Sequence, residues 1–158
     1  MKNLKDWAFG IFVLALGFGL YKLSELYSPG SYPNVEIYGF GANEKDLLKA
    51  IQQFKTANPK FIVPEEFNLQ EGRGSQDDHW FMVYFYYPDT KEIVYVWTRP
   101  KGLSIYTSLA LVRINQGSEL GNWKNINRDF SSAENSAQIE KFETLILNPI
   151  EKIVEEQR

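Results

Sequence analysis

The sequence from Trp80 to Arg99 is WFMVYFYYPDTKEIVYVWTR. Two runs of aromatic and β-branched residues flank Pro88-Asp89-Thr90-Lys91, the pattern of a β-hairpin with a four-residue turn. That turn length pairs Tyr87 with Glu92, Tyr86 with Ile93, Tyr84 with Tyr95, Met82 with Trp97 and Trp80 with Arg99. Side chains alternate across a strand, so the two faces of the hairpin differ in kind. One face carries Phe81, Val83 and Phe85 against Val94 and Val96, an apolar surface suited to helices. The other carries Trp80, Tyr84, Tyr95 and Trp97, flanked by Arg99. Tyrosine and tryptophan combine apolar area with a polar handle and are enriched at binding hot spots. These five residues are the candidate binding face. The competing reading is a face covered by the 60–79 segment, the 115–130 segment or the N-terminal linker.

Working outward, Leu103 to Ile114 continues as a third long strand after the Pro100-Lys101-Gly102 break, and Asn34 to Phe40 reads as a short strand by its alternation. The first strand is free to add at an edge in either direction. Asn43 to Ala57 is a helix with Asn43 as N-cap, Glu44 and Asp46 in its first turn, and a stripe of Leu47, Leu48, Ile51 and Phe54. Ser131 opens a last helix with a capping box to Glu134, and Ile139, Phe142, Ile146, Ile150 and Ile153 mark its buried side. Pro149 falls inside that pattern and is expected to kink or restart the helix near Asn148. Residues 60–79 and 115–130 lack periodicity and read as irregular; the second is polar, with Gly117 and Gly121. The order β-α-β-β-β-α implies an α+β domain over 34–158, with a mainly antiparallel sheet and the helices on one face.

The N-terminal fifth reads differently. Trp7 to Tyr21 is WAFGIFVLALGFGLY, fifteen residues without a charge. That helix would span only ~22 Å, but extension to Tyr27 reaches ~31 Å, enough for a ~30 Å hydrocarbon core if Lys22 snorkels. Trp7, Tyr21 and Tyr27 suit the two interfaces. Residues 1–27 are therefore expected to be a transmembrane anchor, with residues 28–33 as linker. Lys2 and Lys5 before the apolar run place the N-terminus in the cytoplasm and the domain outside it, at a bacterial inner membrane. Two readings compete. One is a signal peptide cut after Gly17, which would release a secreted domain. The other is a buried core helix, which Gly10, Gly17 and Gly19 disfavour.

Composition narrows the chemistry. The chain holds 17 basic and 20 acidic residues, and three of the lysines but only two of the acids precede residue 28. An acidic domain without basic clusters is a poor nucleic-acid ligand. There is no cysteine, hence no disulfide, thiolate ligand or lipidated cysteine. His79 is the single histidine, next to Asp77 and Asp78. Adjacent strand residues point apart, so this trio does not form one ligand set. Gly72-Arg73-Gly74-Ser75 lacks the lysine of a phosphate loop. The paired acids Glu65-Glu66, Asp77-Asp78 and Glu155-Glu156 do not show two carboxylates across a cleft. No catalytic residue, metal site or cofactor is assigned. The expectation is a membrane-anchored, non-enzymatic binding or accessory domain, of which an inhibitor or immunity-type protein is one form, with a protein or small ligand as partner. The alternative is a small hydrolase-like enzyme with His79 in its site.

Overall fold

The computed structural model describes residues 33–75, 78–102 and 105–157. The expected anchor at 1–27 and all of the expected linker at 28–33 except Pro33 lie outside the described residues. Among the described residues no helix is long and apolar enough to cross a membrane. Residues Asn34–Arg158 form one compact unit.

The fold is α+β. Its strands are β1 (Glu36–Phe40), β2 (Gly72–Arg73), β3 (Phe81–Tyr87), β4 (Glu92–Pro100), β5 (Thr107–Asn115) and β6 (Trp123–Asn125). They form one sheet in the order β1-β5-β4-β3-β2, with β6 also pairing β5. Every ladder between them is antiparallel. The expected hairpin register holds from Met82↔Trp97 to Tyr87↔Glu92. Its turn closes through Lys91, whose φ of 55° lies in the left-handed region. β1 takes the edge beside β5, antiparallel to it.

Three helical segments cover one face: α1 (Glu44–Ala57), α2 (Ser132–Phe142) and α3 (Asn148–Glu156). Asn43 caps α1 through Asp46 N–H at 3.0 Å, and Ser131 caps α2 with both halves of its box made. Each such cap stabilises its helix by about 1 kcal/mol. Between α2 and α3 runs one π turn, Glu143–Leu147, in which the Asn148 N–H donates to the Glu143 carbonyl. The wide turn absorbs the break that Pro149 imposes. Proline then sits in the first turn of α3, where its missing N–H leaves no bond unmade.

The helices bury Leu47, Ile51 and Phe54 of α1, Phe142, Ile146 and Leu147, and Ile150 and Val154 of α3 against Val83, Phe85, Val94, Val96, Leu109, Leu111 and Ile114 of the sheet. This is the main core. The helix face predicted for the hairpin is thus the one the helices use.

Two segments expected to be irregular contribute short strands. β2 lies at the far edge and is latched by two ion pairs, Lys55–Glu71 and Arg73–Glu44. β6 returns to β5 because Asn115, fully buried, ties the intervening loop. Its side chain donates to the Glu119 carbonyl at 2.8 Å and accepts from Gly121 and Asn122 N–H at 3.1 and 2.9 Å. Strands of two and three residues are too short to show an alternation, which is why pattern alone missed them. The third long strand begins at Thr107 rather than Leu103; Ile105 and Tyr106 before it are exposed.

One irregularity interrupts β5. Tyr95 pairs with Arg113 and Val96 with Leu111, so Val112 is an extra residue, a β-bulge. Its carbonyl is met by the Ile126 N–H at 3.0 Å, just beyond β6.

Candidate functional site

The face of the sheet turned away from the helices carries a second apolar cluster: Tyr84, Ile93, Tyr95, Trp97, Ala110 and Val112. The hairpin register sets its centre. Tyr84 and Tyr95 stand across the ladder with ring centroids 5.2 Å apart. The Trp80 ring meets Trp97 edge-on at 4.1 Å, and the Arg99 guanidinium lies 4.6 Å from the Trp80 ring. The sheet thus brings together all five candidate residues.

Exposure divides them. Trp80 and Arg99 are half-buried, whereas Tyr84, Tyr95 and Trp97 expose only 9%, 3% and 3% of their surface. The sequence left open whether this face is a binding platform or is covered by a neighbouring segment; these three residues are interior. Val63, Phe67 and Leu69 of the 60–79 segment pack against this cluster, as do Val35 and Trp123. Phe67 lies 6.3 Å from the Tyr86 ring. These apolar residues were legible in the sequence, but their segment showed no periodicity to say which face they would cover. What remains accessible is a rim of half-buried Trp80, Tyr86, Arg99 and Trp123.

His79 is exposed on the approach to β3. It takes part in none of the ion pairs among the described residues. Asp78 turns to the backbone instead, accepting from the Trp80 N–H at 3.0 Å. Asp77 lies outside the described residues. No cluster of three metal-ligating side chains occurs among the described residues.

Three charged arrangements were not found from sequence. Lys55 is buried on α1, its ammonium paired with Glu71 and 4.9 Å from the Phe85 ring. Burial lowers its pKa and the Glu71 carboxylate only partly restores it. Glu71 also accepts from the Tyr84 N–H at 2.7 Å. Gln52, Ile62, Val63 and Leu69 complete a cavity of about 230 Å³ around this pair. Helical spacing was the available signal, since Lys55 follows Ile51 by four residues on the buried stripe.

The second arrangement centres on Glu92, buried at the hairpin turn. It accepts from Lys141 at 2.8 Å, Gln138 at 3.0 Å and Thr90 at 2.6 Å. Burial pushes its carboxyl up, but these donors outweigh burial and hold it below the usual range. Lys141 also lies 4.0 Å from the Tyr87 ring. α2 is thereby fastened to the hairpin.

The third is Arg113. Its guanidinium lies 4.6 Å from the Trp123 ring and 5.0 Å from the Tyr95 ring. A β-bulge has no signature in a run such as LALVRI, so nothing in the sequence placed Arg113 here.

Comparison with known proteins adds no relative: no family model matches the chain, and no curated protein resembles it.

Proposed function

We propose that this chain is a membrane-anchored, non-enzymatic binding or accessory domain held outside the cytoplasm, at a bacterial inner membrane. The observation that carries the binding half is the face opposite the helices. It is aromatic at its centre and ringed by Trp80, Tyr86, Trp123, Arg99 and Arg113, none of them fully exposed or fully buried. A rim of half-buried aromatic and arginine side chains is the composition of a protein-binding hot spot. An inhibitor or immunity-type protein, blocking a partner at the membrane surface, is one form this takes. The location rests on the uncharged run Trp7 to Tyr21 preceded by Lys2 and Lys5.

Two experiments test the two halves. A phosphatase reporter active only outside the cytoplasm, fused after Arg158, should be active in a bacterial host. Activity confined to a cytoplasmic reporter would overturn the location, and a mature soluble chain starting near Phe18 would mean a cleaved signal. For binding, a photo-crosslinking residue at Trp80 or Tyr86 should capture a discrete partner in cells. The same residue at Lys152, exposed on α3, should not. Equal capture from both sides, or none, would overturn the assignment of this face.

A further inference from the structure

We propose that Arg113 is the centre of an oxyanion-binding site, which takes a carboxylate or phosphate group of the ligand. This deepens the binding-module reading and rests on it.

The sheet geometry comes first. Before the bulge, Leu109 and Leu111 face the helices while Ala110 and Val112 face the aromatic cluster. Unbroken alternation would turn Arg113 toward the helices, opposite Val94. The extra residue Val112 instead sets Arg113 across from Tyr95, on the side away from the helices. Bulges are used to re-aim a side chain, often beside a functional site. Here the bulge moves a cation out of the main core and onto the binding face.

The surroundings then define the ligand. Aromatic rings at 4.6 and 5.0 Å hold the guanidinium by cation–π contact. A stacked guanidinium keeps its in-plane N–H donors for other partners, and their spacing matches two oxygens of one carboxylate or phosphate. No such partner occurs among the described residues. Arg73 pairs with Glu44 and Arg128 with Asp129, but Arg113 takes part in no ion pair among the described residues. Its Nε is buried and makes no hydrogen bond among the described residues. The domain has acids in excess, so this is not a shortage of carboxylates. The acid on the adjoining turn, Asp129, accepts instead from the backbone and side chain of Asn125, at 2.8 and 2.6 Å. Trp123, which stacks on the guanidinium, stands half-buried on a strand of three residues, and Arg113 is itself only half-buried. A buried, unmet donor on a stacked arginine is what an arriving oxyanion would complete.

The test uses the full chain in detergent micelles, with ¹⁵N-labelled arginine. Acetate and inorganic phosphate are titrated separately, at an ionic strength held constant with chloride. The Arg113 Nε–H resonance is assigned by its loss in Arg113→Lys. Should that variant fail to fold, the resonance is assigned by elimination from lysine variants of the other arginines. A saturable shift of that resonance is expected in at least one arm, with no shift in chloride alone. Response to acetate only assigns a carboxylate, and response to phosphate only assigns a phosphate; response to both assigns the shared oxyanion chemistry. No shift in either arm, or a shift that chloride reproduces, overturns the site. The crosslinking result is read separately: adducts at the rim with a silent titration would keep the binding module and discard the oxyanion.

Discussion

The Lys141 ammonium donates to the Glu92 carboxylate at 2.8 Å, joining α2 to the turn of the hairpin. Glu92 is held in its charged form below the usual carboxylate range, so its contribution has a definite sign. Stability is fully present above the ordinary glutamate range and is lost as pH falls through the folded-state value. Glu92→Gln should destabilise the domain by about 1–3 kcal/mol near neutral pH, because Lys141 loses its anion. The gap between the two proteins should begin to shrink as pH falls through the ordinary glutamate range, about 4.3, and close once pH has passed below the lower folded-state value. Urea unfolding at several pH values measures this. A gap that does not change with pH would show that the carboxylate's charge is not what holds α2.

The two faces of the hairpin should respond alike to truncation at their centres. Phe85 is fully buried and Trp97 nearly so, so Phe85→Ala and Trp97→Ala should each cost about 3–5 kcal/mol. Trp80, at the half-buried rim, should cost distinctly less. If Trp97→Ala proved nearly neutral in a denaturant titration, Trp97 would belong to the accessible surface after all.

Lys55 offers a test of what a buried ion pair contributes. Replacing the lysine with methionine removes the buried charge but keeps the chain's volume, and such changes are often neutral or stabilising. Removing Glu71 instead strands the ammonium. Lys55→Met should therefore be close to wild type in thermal stability, and Glu71→Ala clearly below it. Because burial lowers the Lys55 pKa, the charged lysine is disfavoured in the fold. Any advantage of Lys55→Met should shrink as pH rises toward 10.5, the ordinary lysine value. Equal damage from both variants would mean that the pair itself holds β2.

His79 should be dispensable. It is exposed and takes part in no ion pair among the described residues. His79→Ala should change stability by less than about 0.5 kcal/mol and leave crosslinking at Trp80 intact. A folded His79→Ala protein that had lost its cellular activity would reopen the hydrolase reading.

Long-range pairing was legible where the sequence repeats a simple period. The hairpin register follows from a four-residue turn and strict alternation, and the helix stripes follow from spacings of three and four. The capping residues Asn43 and Ser131 announced where α1 and α2 begin, and Pro149 announced the break before α3. The rest depended on single residues acting at a distance. Asn115 makes β6 possible by bonding three backbone groups that lie four to seven residues ahead. Lys55 and Glu71 meet across sixteen residues. For the candidate site, composition and register found Trp80, Tyr84, Tyr95, Trp97 and Arg99, but burial could not be judged. The covering residues Val63, Phe67 and Leu69 belong to a segment with no pattern. Arg113 and Trp123 were missed because a bulge and a three-residue strand put them there.

The bulge at Val112 also gives β5 a change of parity. Along β4 the odd-numbered residues Ile93, Tyr95 and Trp97 belong to the aromatic side throughout. Along β5 the even numbers, Ala110 and Val112, belong to it first, and from Arg113 onward the odd numbers do. A one-residue deletion there would remove the bulge together with the valine. Val96 would still face Leu111 and Tyr95 would still face Arg113, and Arg113, Ile114 and Asn115 would keep their partners on β6. What would turn this cation toward the helices is a slip in which Val112 takes Tyr95 and Arg113 takes Val94, so the pairing of β4 with β5, and not the length of β5, decides on which side the charge stands.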